Sequence, residues 1–298
     1  MKLIIAAIYV VSIAYVHLRG RVRHKLGRQL SDHSSFLAPI NCFLYLFSKK
    51  PNQPYLDPAD FPDLSPLQAH WEEIRAEGQN LLRAGEIKRS NQYDDVGFNS
   101  FFKTGWKRFY VKWYDEPLPS AKALCPKTVE LVQSIPGVNA AMFALLPPGS
   151  KLGAHRDPFA GSLRYHLGLV TPNADTCRIV VDGEPYFWRD GEPVMFDETF
   201  IHTAENRSDV TRIILFCDVE RPLRGRLVQW LNHVVEMTLI RASQTENAPG
   251  DRVGALNHLF NVAYRVRLVG KWIKKKSRFA HYTLKWLIIG GMLFLILR

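Results

Sequence analysis

His155-Arg156-Asp157 and the later His202 are the residues of this chain whose types and spacing could hold a metal. A His-x-Asp pair with a second, distant His supplies two imidazoles and one carboxylate. Non-haem Fe(II) oxygenases hold iron with that three-ligand set and leave coordination positions open. A hard carboxylate beside two imidazoles suits Fe(II), which makes Asp157 the third ligand. Ten residues after His202 comes Arg212, at the head of the apolar run Ile213-Ile214-Leu215-Phe216, where a cation is costly unless paired. Asp218 or another strand could supply an anion; the far carboxylate of 2-oxoglutarate would satisfy it through a bidentate, charge-assisted contact. Arg164 and His166 alternate along one strand-like run and project to the same face, so both can contribute to the cosubstrate pocket.

In a chain with ten His, one H-x-D pair is unremarkable by itself. Here it follows the turn Pro147-Pro148-Gly149 at a strand boundary, His202 opens a later strand, and Arg212 is the cation such a site needs. The two ligand-bearing segments are expected to meet across a barrel. Short apolar runs punctuated by turns read as strands: Phe109–Trp113, Ala140–Leu146, Tyr165–Val170, Arg178–Val181, Tyr186–Trp188, Val194–Phe196, His202–Ala204 and Arg212–Val219. Asp182-Gly183 and Asp190-Gly191 are among the turns between them. Many short strands at close spacing predict a mainly β double-stranded β-helix, the jelly roll shared with cupins, with flanking helices.

Helical spacing appears on both sides of that body. Ser65–Ala84 reads as one helix, with Ser65 as its N-cap and Pro66 at the first helical position. Pro126–Ser134, Leu223–Arg241 and Val253–Lys275 read as further helices, the last two amphipathic with basic faces. Pro51–Pro66 holds five prolines and reads as an extended arm. Trp106 and Trp113 read as core aromatics.

The net charge of +11 belongs to the ends. Residues 1–31 hold six Lys or Arg and no acid, and residues 252–298 hold ten and no acid. Removing those sixteen from the 39 basic residues leaves 23 against 28 acidic ones, a net of −5 for the body. A nucleic-acid enzyme would carry its basic stripe on the body, so no nucleic-acid partner is expected. Leu3–Val16 and Trp286–Leu297 are uncharged apolar segments, each beside a basic cluster on the side facing the centre of the chain. They read as short terminal membrane segments, and the positive-inside rule then places the central domain in the cytoplasm. Cys42, Cys125, Cys177 and Cys217 show no paired spacing and are expected to be thiols. The expected organisation is an anchor and basic collar at 1–30, a linker and helical region at 31–100, and the β-domain at 101–222. Basic amphipathic helices at 223–276 and a membrane segment at 277–298 follow. The ends should tether the domain to an anionic membrane surface without taking part in cosubstrate turnover.

The blocks from Pro147 to Asp157, RYHLGLV from Arg164, VMFDETFIHTAENRS from Val194 and TRIILFCDVERP from Thr211 resemble the aspartyl/asparaginyl β-hydroxylase family. These are Fe(II)- and 2-oxoglutarate-dependent dioxygenases of double-stranded β-helix fold. The resemblance puts the family's metal ligands on His155, Asp157 and His202, its 2-oxoglutarate arginine on Arg212, and further pocket positions on Arg164 and His166. Some members lack the acid of the triad; this chain keeps it. The chain also resembles a membrane-anchored bacterial branch of that family that hydroxylates lipid A at the 2-position of a fatty acyl chain. That resemblance implies Fe(II), with 2-oxoglutarate and dioxygen as cosubstrates. It also implies a membrane glycolipid as substrate and a place at the inner membrane with the catalytic domain facing the cytoplasm. The competing readings are a peptidyl Asp/Asn β-hydroxylase on the same site and a membrane-tethered jelly roll that binds metal without turnover.

Overall fold

A computed structural model describes residues 2–89, 95–284 and 287. Ten strands form two antiparallel sheets: β1 Tyr55–Leu56, β2 Lys107–Trp113, β3 Val138–Leu146, β4 Lys151–His155, β5 Ser162–Val170, β6 Cys177–Val181, β7 Glu184–Phe187, β8 Pro193–Phe196, β9 His202–Asn206 and β10 Arg212–Glu220. The larger sheet runs β1-β8-β5-β10-β3-β2 and the smaller β4-β9-β6-β7. From β3 onward the chain passes back and forth between the two sheets, and one apolar core is shared by both. This is the expected jelly roll.

The two sheets differ in patterning because they differ in cover. Along β5 and β10 every residue but the last is buried, since helices lie on the outer face of the larger sheet. The helix Trp71–Arg83 makes that approach at Gly78, where an added Cβ would sit 2.9 Å from the Phe143 ring. On β6 buried and half-buried residues alternate, as in a sheet with one face toward solvent. Asp182 and Gly183, both at positive φ, make the tight β6–β7 turn that their sequence predicts.

Several expected boundaries move. The helix expected over Ser65–Ala84 is two helices, Ser65–Ala69 and Trp71–Arg83, broken at His70, and Ser65 makes no cap. The proline-rich arm contributes β1, which pairs with β8 at the edge of the larger sheet, so the sheet begins well before residue 101. The helix expected over Leu223–Arg241 is regular over Arg226–Val235 and widens to a π-helical turn at Glu236–Ile240. Trp106 and Trp113 are buried, as expected. All four cysteines are free.

The N-terminal segment departs most from expectation. Lys2–Leu18 is an α-helix, but among the described residues no helix is long and apolar enough to cross a membrane. Seventeen residues at about 1.5 Å each fall short of roughly 30 Å of hydrocarbon. Nor is its basic collar free. The Arg19 guanidinium is buried against Asp197 and Thr199, Arg21 pairs with Glu184, and Arg28 donates to the carbonyl of Ala154. The backbone N–H groups of Arg21 and Val22 donate to Asp182. The collar is thus partly consumed inside the protein. Of the C-terminal apolar segment, Trp286 and the residues after Leu287 lie outside the described residues.

Candidate metal centre

His155 and His202 face each other because of a defect in strand pairing. Lys151 pairs with Glu205 and Leu152 with Ala204, and that register would set Ala154 opposite His202. A bulge before His155 inserts one residue, and His155 becomes the partner of His202. Since side chains alternate faces along a strand, the one-residue shift turns His155 toward the core side shared with His202. The segments are therefore neighbours in the smaller sheet, and do not meet across the barrel as expected.

The imidazole centroids stand 4.2 Å apart. Each Nδ1 lies against the carbonyl two residues earlier, 2.7 Å from Gly153 O for His155 and 2.9 Å from Phe200 O for His202. A carbonyl only accepts, so each Nδ1 carries the proton and each Nε2 keeps its lone pair for a metal. Burial pushes both imidazoles toward the neutral form, and His202 falls to about 3. Asp157 completes the set: one ligand atom from each of the three residues lies within 4.8 Å of the others. Its backbone N–H donates to the carbonyl of Glu198 at 2.9 Å.

Arg164 is not free to take a cosubstrate carboxylate in this arrangement. It pairs with Asp157 and Asp218 at 2.8 Å each and with Glu198, and its guanidinium lies 3.6 Å from the centroid of the Phe216 ring. Asp218 is its direct cross-strand partner on β10. Burial raises the Asp157 carboxyl, but Arg164, His202 and His155 outweigh it and hold the group below its ordinary value. Burial pushes Glu198 well above the carboxylate range despite Arg164, and raises Asp218 as well. Ser162 donates to Glu198 and Tyr114 to Asp218. Arg164 thus orders the acids around the triad.

Arg212 is the opposite case. Its side chain is buried, and among the described residues it pairs with no carboxylate and its Nε has no hydrogen-bond partner. Its guanidinium lies 4.4 Å from the centroid of the Trp188 ring. Burial without an anion depresses it to about 10. His166, beside Phe196, Phe216 and Trp188, likewise has neither ring nitrogen partnered, and burial drives it well below its ordinary value. Both line the space that also holds His155, Asp157 and His202. An unpaired cation and an unpartnered imidazole beside a two-His, one-carboxylate set fit a metal with an anionic chelate. The space between these residues is narrow, about 40 Å³.

Glu198, Trp188 and the Arg19–Asp197 pair were not singled out from the sequence, and Asp218, a candidate partner for Arg212, pairs with Arg164 instead. For the acids a signal existed, because Asp197-Glu198 and Asp218 stand in apolar runs just as Arg212 does. Trp188 carried none. On the other side of the triad lies a second cavity, which shares His155, Asp157, Arg164, Phe98 and Phe101 with the first.

The family model for aspartyl/asparaginyl β-hydroxylase matches residues 68–222, which hold the triad, Arg164, His166 and Arg212. The chain is 36% identical over 188 residues to the ornithine lipid ester-linked acyl 2-hydroxylase of Rhizobium tropici, covering 62% of this chain and 67% of that protein. It is 30% identical over 206 residues to aspartate beta-hydroxylase domain-containing protein 2 of Homo sapiens, covering 66% of this chain and 54% of that one. The chain thus spans about two thirds of the first relative and about half of the second. Among solved structures, a Pseudomonas putida prolyl-4-hydroxylase aligns over 57% of this chain and 90% of its own, at 18% identity and a TM-score of 0.34. With more than half of its residues inside the matched region, the chain belongs to the aspartyl/asparaginyl β-hydroxylase family.

Proposed function

We propose that this protein is an Fe(II)- and 2-oxoglutarate-dependent hydroxylase of a fatty acyl chain in a membrane lipid. The observation that carries the reading is the His155–Asp157–His202 set beside an Arg212 that has no anion partner among the described residues. Bound Fe(II) with 2-oxoglutarate and dioxygen supplies the oxidation of a C–H bond to an alcohol, releasing succinate and carbon dioxide. The chain supplies binding and orientation. His155 and His202 offer Nε2 as neutral donors, and Arg164 keeps Asp157 ionised. Arg212, stacked on Trp188, receives the far carboxylate of the cosubstrate, and His166 offers a further polar atom on the same side.

An acyl substrate is favoured over a peptide by three observations. The relative from Rhizobium tropici is named for acyl 2-hydroxylation. The second cavity is mostly apolar. The helix Ala255–Lys276 carries Leu259, Val262, Val266 and Val269 as an exposed stripe opposite the side that buries Asn257 and Tyr264. That helix contains no acid and ends in Lys274-Lys275-Lys276. Apolar stripe and basic flanks together suit the surface of an anionic membrane. The finer reading is 2-hydroxylation of lipid A at the cytoplasmic face of the bacterial inner membrane, with an ornithine lipid as the other substrate to compare. Mass spectrometry of total lipids from cells with and without the gene tests it. An acyl chain heavier by one oxygen is expected, and modified Asp or Asn in peptides with unchanged lipids would replace it by the peptidyl reading.

A further inference from the structure

The second cavity has about 410 Å³ of space, within the range of roughly 300–1,000 Å³ common to small-molecule sites. At its inner end lie His155, Asp157 and the Arg164 cluster, whose acids are already paired with Arg164, Ser162 and Tyr114. The rest of its wall is dominated by aliphatic and aromatic side chains. Phe36 and Leu37 come from the N-terminal helices, Ile240 and Leu256 from the C-terminal ones, and Phe98 and Phe101 from the segment before β2. Four of these six lie outside the matched region, residues 68–222, while Val96, Trp113, Tyr114 and Phe159 lie inside it, so the flanking helices complete a wall that the β-domain begins.

Those helices also carry the exposed apolar surface. Phe36 lines the cavity yet is 70% exposed, which puts it at a mouth. Leu259, the first residue of the outward stripe, is one turn beyond Leu256 on the same helix. Leu3, Ile4, Val10 and Val11 are exposed on Lys2–Leu18, which packs against the helix Ala38–Leu46 through its other face. Apolar surface thus lies both outside the protein and at the mouth of an apolar cavity whose wall includes the metal ligands His155 and Asp157.

Resting on the acyl-hydroxylase reading above, we propose that this cavity is the acyl-chain site. One fatty acyl chain of a lipid still seated in the membrane enters between Phe36 and Leu256 and lies against Ile240, Phe98 and Phe101. A C–H bond of that chain then stands beside the metal ligands. The N- and C-terminal helices form the gate and set which chain is accepted.

Photo-crosslinking of the full-length protein tests this without any turnover. The probe is a phosphatidylglycerol bearing a diazirine near the end of one acyl chain, in vesicles of phosphatidylglycerol and phosphatidylethanolamine. Labels are expected at Phe36, Ile240 and Leu256, and Leu256→Trp, which plugs the mouth, should cut the label at Ile240 by about tenfold or more. Circular dichroism and binding to the same vesicles should be unchanged in that variant. Labels confined to the outward stripe of Ala255–Lys276 and to Lys2–Leu18 would overturn the proposal, as would an undiminished Ile240 label in a folded Leu256→Trp. The lipid mass measurement separates this from failure of the activity. An oxygenated acyl chain with an unlabelled cavity leaves the activity and removes the site; a labelled cavity with unaltered lipids leaves the site and removes the activity.

Discussion

His155 stands opposite His202 because a bulge in β4 absorbs one extra residue between Leu152 and His155. If the register of Lys151 and Leu152 ran on straight through all residues, His155 would face Ile201 and the two imidazoles would lie on opposite faces of the smaller sheet. His155→Ala and His202→Ala should each lower Fe(II) or Co(II) affinity by at least about 100-fold, more than loss of an outer-shell partner costs. Deleting Ala154 should instead leave affinity close to the parent's, since it removes the residue that the bulge absorbs and keeps His155 opposite His202 in a straight register. Anaerobic titration followed by absorbance of the Co(II) complex checks all three. Loss of affinity in the deletion variant would mean that the bulged backbone itself, and not the pairing of His155 with His202, orients the ligands.

Arg212 should show opposite effects on stability and on cosubstrate binding. Its buried guanidinium has no anion partner among the described residues, so Arg212→Met should leave the unliganded protein as stable as before or more so. The same change removes the partner of the cosubstrate's carboxylate, at a cost of about 1.5–3 kcal/mol for a charge-assisted contact. The KM for 2-oxoglutarate should rise by about 10- to 100-fold, and Arg212→Lys should recover part of it. Urea denaturation and steady-state kinetics give the two readouts. A strongly destabilised Arg212→Met with unchanged cosubstrate dependence would make Arg212 structural and move the carboxylate site elsewhere.

Arg212 was legible because a lone cation in an apolar run asks for an anion, and that is a local property. The strands were legible for the same reason, since turn residues such as Asp182-Gly183 and the runs between them are local. What joins Arg164 to Asp218 is a cross-strand register between β5 and β10, which no nearby residue reveals. The bulge in β4 has no composition of its own, so the route by which His155 reaches His202 was misplaced across the barrel. Arg19 and Asp197 are separated by 178 residues, and Arg19 within a cluster of arginines reads as collar until its partner is known. Local patterning thus identified the chemistry of the metal set, while the acids that tune it depend on the fold.

His166 offers a test by pH. Burial holds its imidazole neutral and well below its ordinary value, with Arg164 and Arg212 adding to that. The unfolded chain takes up a proton near pH 6.5 and the folded chain does not, so this group's contribution to stability falls as pH drops below about 6.5. The slope is at most about 1.4 kcal/mol per pH unit for one such imidazole. His166→Phe, with no partner to lose among the surrounding rings, should gain on the parent protein as pH falls from 7 to 5. Urea denaturation of the metal-free proteins across that range measures the difference. A gain that stays constant with pH would mean that His166 is protonated in the folded state.

The N-terminal segment should prove inseparable from the site. Arg156, between two of the metal ligands, donates to the carbonyl of Val16 near the end of Lys2–Leu18, and His33 contacts the carbonyl of Arg156. On the other flank Arg19 shares Asp197 with Arg221, and Asp197 precedes Glu198, whose carbonyl receives the Asp157 N–H. Burial raises Asp197, but Arg19 and Arg221 outweigh it and hold it ionised. Removing Arg19 leaves that buried carboxylate with half its compensation. Breaking such a pair costs about 3–5 kcal/mol, and Arg221 should keep the loss toward the lower end. Arg19→Ala and deletion of residues 1–24 should therefore weaken metal binding and 2-oxoglutarate decarboxylation measured without lipid, contrary to the simple expectation of a detachable tether. Changing the exposed Leu3, Ile4 and Val10 to Ser should instead leave both intact and lower only partition into anionic vesicles. A deletion variant that binds Co(II) and decarboxylates 2-oxoglutarate like the parent would return residues 1–24 to the role of a tether.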